Sequence, residues 1–186
     1  MGRRAGIGYE DVVACATRIA DRDGLDAATP SAVAADLGIR TPSLYYHVEG
    51  AAGLRRALAL HSAGLLTEYF EGAVDGVEGA ARIRALATAY RRFAVDHPGL
   101  HAALLPAPVP GEDDELYEAM AAPVAIVASG AAGDGLPDAE AIHLIRALRA
   151  MLFGFVELEA RGGFGLPVDI DQSFEVAVDL MVERMT

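Results

Sequence analysis

TPSAVAADLGIRTPSLYYHV, residues 29–48, is the stretch whose reading decides the fold. Thr29 precedes Pro30 and Thr41 precedes Pro42, so one device occurs twice: a hydroxyl residue able to cap a helix, then a proline whose fixed φ suits the first helical turn. The first copy runs through AVAADL to a stop at Gly38, and the second opens LYYHV. Two short helices flanking a tight, glycine-containing turn are the layout of a helix-turn-helix.

Outward from that stretch the pattern stays helical. Residues 8–23 place Val12, Val13, Ala16, Ile19 and Ala20 on one face, with Gly24 as a stop. A connecting helix is expected from Ala51 to Phe70, carrying Leu54, Leu58, Leu65 and Tyr69, before a Gly-rich break over 72–79. GAARIRALATAYRRFAVDH then ends at His97-Pro98-Gly99, because proline disfavours helix in the residue before it. LHAALL is followed by the loop PAPVPG (106–111), and acids 112–115 precede a helix that Pro123 is expected to kink. Gly133–Pro137 breaks the chain again. A long helix over 138–161 and a last one over 170–185, with Phe174, Val178, Met181 and Val182 inward, complete about nine helices and no strand. The fold class expected is all-α, divided into a helix-turn-helix domain, 1–50, and a second domain, 51–186.

Composition agrees. Of 186 residues, 53% are apolar, tryptophan is absent and aromatics are few, which suits helical packing better than a sandwich rich in β-branched residues. All 15 basic residues are arginine against 27 acids, a net charge of −12 that normally argues against nucleic acid. The charge is uneven, however. Arg3, Arg4, Arg18, Arg22, Arg40, Arg55 and Arg56 balance seven acids in residues 1–60, so the deficit lies wholly beyond. The single cysteine, Cys15, excludes an intramolecular disulfide and reads as a small buried hydrophobe, in keeping with a reducing cytoplasm. The N-terminus lacks the apolar core of a signal peptide, and no run approaches the ~20 apolar residues of a membrane span.

The stretch TPSAVAADLGIRTPSLYYHVEGAAGLRRALAL resembles the DNA-binding domain of tetracycline-repressor (TetR) type regulators, whose pattern is a helix ending A-x-x-L-G-V, a turn, then T-L-Y-x-H-[FV] and a connecting helix. YRRFAVDHPGLHAALL and RALRAMLFGFVELEARGGF are similar to a subgroup of ligand domains named for a Trp-His-Gly motif, with Arg149 and Phe153 standing where Trp and His occur. The resemblance implies a homodimeric transcriptional regulator, in the first instance a repressor. Its recognition helices would sit about 34–36 Å apart on double-stranded operator DNA, and a small-molecule effector would tilt the connecting helix and release it. Dimerisation would use the last two helices of each copy as a four-helix bundle, through Met151, Leu158, Phe174, Val178 and Met181. At the start of the connecting helix Ala51 stands where the family carries a phosphate-contacting lysine, and Glu49 is nearby, so a salt slope shallower by about one unit is expected.

Thr41 and Ser43 offer short hydroxyls at a helix start, and Arg40 reaches either guanine or a phosphate. Tyr46 and His47 suit phosphate contacts, and Tyr45 either joins them or packs inward. Thr29, Arg3 and Arg4 complete the expected DNA-binding set. In the second domain Tyr90, Phe93, His97, Tyr117, Met120, His143, Arg146 and Phe155 are the candidate effector contacts, although Tyr90, Phe93, Met120 and Phe155, like Met151, stand at a helical spacing that suits a core better than a pocket. His143 and Arg146 meet either an effector or the acids of a neighbouring helix. His97 and His101 are four apart, but Pro98 and Gly99 break the geometry that metal binding needs. No cofactor, metal site or catalytic constellation is expected. The acid excess suits a neutral or cationic apolar effector. The rival reading is a helical carrier or enzyme that does not bind DNA.

Overall fold

Val12, Val13, Ala16, Ile19 and Ala20 do line the buried side of one helix, α1 (Tyr9–Asp23), in the computed structural model, which describes residues 7–105, 114–132 and 139–185. Asp11 accepts the Gly8 N–H at 2.8 Å at its start, and Gly24, at φ +92, donates to the Ala20 carbonyl and ends it. After a 3-10 turn at Leu25–Ala27, Thr29 Oγ1 accepts the Ala32 N–H at 3.2 Å and opens α2 (Pro30–Asp36) with proline in its first turn. Gly38 at φ +69 closes α2: its N–H bonds Ala35 O and the Ile39 N–H bonds Ala34 O, a Schellman closure.

The second Thr-Pro pair behaves differently. Arg40, with extended backbone, is the N-cap of α3 (Thr41–Leu44), so Thr41 is already helical and no side chain caps the helix. The helix was expected to run on through LYYHV. Instead Tyr46 N–H bonds Ser43 O and His47 N–H bonds Leu44 O, a tighter i to i−3 pattern that ends it after one turn. Gly50, at φ +65, then swings the chain into α4 (Gly50–Val74). That helix runs past the expected end at Phe70. One internal glycine, Gly72, costs only about 1 kcal/mol, and the left-handed turn comes at Gly76, φ +67.

The remaining helices are α5 (Gly79–Asp96), α6 (Pro98–Ala103), α7 (Asp114–Ala132), α8 (Ala139–Ala160) and α9 (Ile170–Met185). Pro123 lies inside α7, where it has no N–H to give the preceding turn. The described residues thus hold nine α-helices and no strand, the all-α class expected. None of these helices is long and apolar enough to cross a membrane. PAPVPG, the acids 112 and 113, the whole of 133–138, and Arg3 and Arg4 lie outside the described residues.

Two compact units emerge: Met1–Gly64 with His97–Met120, and Leu65–Asp96 with Ala121–Thr186. In the first, α1 packs on α2 and α6, and α2 on α3, over Val12, Val33, Leu44, Leu54, Leu58 and Leu100. In the second, α5, α8 and α9 pack pairwise over Leu86, Phe93, Leu148, Leu152, Val156 and Val178. Helices α4 and α7 each begin in the first unit and end in the second.

Candidate nucleic-acid interface

The recognition segment is held from below. Cys15 on α1 is fully buried and donates its S–H to Asp36 on α2 at 3.1 Å, while Arg18 donates to the same carboxylate oxygen at 3.2 Å. Burial, and then the bond to Asp36, push the Cys15 thiol up to about 11, so it stays a donor, and the same bond followed by Arg18 lowers the Asp36 carboxyl. This ties α2 to α1. Leu44 and Val48, both buried, anchor the turn that α3 begins.

What this base presents outward is polar and aromatic. Tyr46 is 89% exposed, and Arg40, Ser43 and Tyr45 are exposed beside it, with Thr41 and His47 half-buried. Tyr45 therefore does not pack inward. Thr29 is exposed too, but its hydroxyl is engaged as the α2 cap. The same turn brings together the six recognition residues from Arg40 to His47.

Most arginines of this unit are committed to acids: Arg18 to Asp36, Arg22 to Asp23, Arg55 to Asp26 and Arg56 to Glu115. No carboxylate pairs with Arg40 among the described residues. Glu49 and Ala51 are both exposed where α4 begins.

A second feature of this unit escaped the sequence. Asp21 on α1 accepts the N–H groups of Gly99 (2.9 Å) and Leu100 (3.2 Å) in the first turn of α6, and its other oxygen lies 3.1 Å from His97 Nδ1. Gly99 lies so close to α1 that a Cβ there would fall 2.2 Å from the Ala20 carbonyl carbon. Buried Ser62 on α4 donates to Leu100 O at 2.8 Å. Asp21 carried no local signal, and Pro98-Gly99 read only as a helix end.

The candidate effector residues divide between the units. His97, half-exposed Tyr117 and half-buried Met120 belong to the first. Tyr90, Phe93 and Phe155 are buried in the second; Phe93 meets Tyr69 edge-on at 5.6 Å and Phe155 meets Phe174 at 5.1 Å. His143 and Arg146 are exposed on α8, and neither pairs with an acid among the described residues. Of the residues expected at a dimer contact, Leu158 is exposed, Met151 and Met181 are half-buried, and Phe174 and Val178 are buried within the second unit. No group of His, Cys, Asp and Glu among the described residues is arranged to hold a metal.

Comparison with known proteins bears on this geometry. Residues 83–181 match the family described as tetracyclin repressor-like, C-terminal domain. Over 183 residues the chain is 30% identical to the HTH-type transcriptional regulator YobS of Bacillus subtilis (strain 168), a match spanning 96% of this chain and 92% of that one. A protein of unknown function from Rhodococcus sp. RHA1 has a structure similar at TM-score 0.80 and 26% identity, covering 100% of this chain and 98% of that one. A TetR variant from Acinetobacter baumannii AYE, in complex with minocycline, shares the fold at TM-score 0.70 and 16% identity, covering 96% of each chain. With nearly the whole of both chains aligned at 30% identity and the C-terminal domain matched independently, the chain belongs to the TetR family of HTH-type transcriptional regulators.

Proposed function

We propose that this regulator is a ligand-responsive repressor that binds palindromic operator DNA as a dimer and is released by a small molecule. Tyr46 is the observation that carries the DNA reading. A large aromatic side chain left in water forgoes about 1.5–3 kcal/mol of burial, yet Tyr46 is 89% exposed on a turn fixed by buried Leu44 and Val48. A side chain held out so firmly suits a partner. Its phenol and the His47 imidazole contact phosphates, while Arg40, Thr41 and Ser43 reach toward base edges in the major groove.

The test is a fluorescence-anisotropy titration of the full chain against DNA from its own upstream region at three salt concentrations. The Tyr46→Ala/His47→Ala variant is expected to lose saturable binding. Arg40→Met is expected to cost about 1–3 kcal/mol, as for loss of a bidentate base contact. With Arg40 the one uncommitted arginine of its unit among the described residues and Ala51 uncharged, the salt slope is expected to be shallow. If the wild type shows no binding even at low salt, the carrier or enzyme reading takes over.

Exposed Leu158 on α8, with Val176 and Leu180 on α9, supports pairing of these helices across a two-fold axis, and buried Phe174 and Val178 hold α9 in place for it. For the effector, the support is the apolar interior around Tyr90, Phe93 and Phe155. Burial pushes the Tyr90 phenol up to about 12, which keeps it a neutral hydrogen-bonding group suited to a neutral or cationic apolar molecule. The Acinetobacter baumannii protein of the same fold holds minocycline. The effector need only bind the conformation unfit for DNA more tightly. A coupling of about 1–3 kcal/mol shifts operator affinity roughly 5–150-fold.

A further inference from the structure

We infer that the loop between α8 and α9 is a rigid apolar knob that inserts into a second copy of this chain, extending the α8–α9 dimer contact; the inference rests on the dimer reading above. The loop is built to present this knob. Gly162, at φ +65, and Gly163 close α8 with a Schellman pair of bonds, Gly163 N–H to Leu158 O at 2.7 Å and Gly162 N–H to Glu159 O at 3.1 Å. Phe164 then turns inward, its ring 4.8 Å from that of Phe155. At the far end Asp169 caps α9, accepting the Gln172 N–H at 3.0 Å. Between these anchors the Val168 N–H bonds Leu166 O at 2.9 Å around Pro167, a tight turn that fixes both aliphatic side chains outward.

Leu166 is 79% exposed and Val168 68%. Apart from Tyr46, no large hydrophobic among the described residues is so open to water. Single exposed aliphatics need no explanation, but a cluster does. Of the thirteen exposed large hydrophobics among the described residues, six (Ile142, Leu158, Leu166, Val168, Val176 and Leu180) fall on α8, this loop and α9. The knob is continuous with the helix contact, because Gly163 lies directly against Leu158, to whose Cδ2 a Cβ would come within 2.9 Å.

Size and charge favour a second copy as the occupant. A standard interface takes about 20–30 residues a side, far more than Leu158, Val176 and Leu180 begin to supply. Two chains that each carry −12 repel, so they meet best where neither is charged. Residues 163–168, GFGLPV, form such an uncharged run, and interface cores are depleted in charge. In a two-fold dimer each copy contributes one knob and receives one.

Sedimentation equilibrium of the full chain over a range of concentrations tests this. The Leu166→Asp/Val168→Asp variant is expected to raise the dimer dissociation constant roughly tenfold or more, because it removes apolar burial and places unpaired carboxylates in the contact. Leu166→Met is expected to preserve it, and so is Leu105→Asp, which alters an exposed aliphatic residue of the other unit. If the double variant dimerises as the wild type does, or if Leu105→Asp weakens the dimer equally, the knob is overturned while the dimer stands. A wild type that stays monomeric throughout removes the dimer reading and the knob with it.

Discussion

Gly99→Ala is expected to lower stability by about 3 kcal/mol, the upper range for overpacking a well-filled contact, and so the melting temperature by on the order of 6–12 °C for a chain of this size. The sign is the informative part. Gly99 sits within α6, where alanine is ordinarily better than glycine by about 1 kcal/mol, so without the close approach the substitution would stabilise. The added Cβ would come within 2.2 Å of Ala20 C and 2.3 Å of Ala20 O, both backbone atoms. They cannot swing aside as a side chain end can, because the Ala20 carbonyl is held by the Gly24 N–H. Relief requires α6 to move off α1, which stretches both N–H bonds from Gly99 and Leu100 to Asp21 and disturbs Ser62 on Leu100 O. Since α1 holds α2 through Cys15, Arg18 and Asp36, operator affinity is expected to fall together with stability. Thermal unfolding followed by circular dichroism measures the first effect and anisotropy the second. A variant as stable as the wild type would show that α6 does not lie against α1 in solution.

That joint marks the limit of what the sequence discloses. The helix-turn-helix was legible because its signals are local: Thr29 caps within three residues, Pro30 fits the first turn, and Gly38 supplies the left-handed backbone that closes α2. Periodicity likewise showed which sides of α1 and α9 turn inward. It did not show what those sides meet. Asp21 and Gly99 are 78 positions apart, and Arg91 meets partners 68 and 80 positions away, so no spacing rule links them. Cys15 was read as a small buried hydrophobe, and it is buried; its bond to Asp36, 21 residues on, depends on how α1 crosses α2. Boundaries erred where weak local preferences competed with packing. Helix α3 stops early because burial of Leu44 and Val48 goes with a tighter turn, and α4 continues through Gly72 because one glycine is a small cost in so long a helix.

Arg91→Ala is expected to cost about 3 kcal/mol, at the lower end for removing one partner of a buried ion pair, with a fall in melting temperature on the order of 6–12 °C. Arg91 on α5 donates through Nε and Nη2 to the two carboxylate oxygens of Glu159 on α8, the first at 2.8 Å, and through Nη2 to Asp171 on α9 at 2.7 Å. Its guanidinium also lies against two rings, 4.8 Å from the Phe174 centroid and 5.8 Å from that of Phe155. These contacts tie together the three helices of the second unit, and they raise the guanidinium pKa, chiefly through Glu159. The pair is about a fifth exposed, 19% for Arg91 and 23% for Glu159, so water offsets part of the penalty and the lower end of the range applies. What the alanine variant suffers is mainly the Glu159 charge left poorly solvated, together with a lost cation–π contact of about 0.5–1 kcal/mol. A double-mutant cycle by chemical denaturation separates the two contributions. Arg91→Met alone strands Glu159 and is expected to be strongly destabilised, whereas Arg91→Met/Glu159→Met replaces the pair with apolar packing and is expected to recover most of the loss. Asp171 does not reverse that outcome, since at 78% exposure water solvates it without Arg91. Strictly additive single and double variants would mean that the ion pair contributes nothing beyond the apolar core that α5, α8 and α9 share.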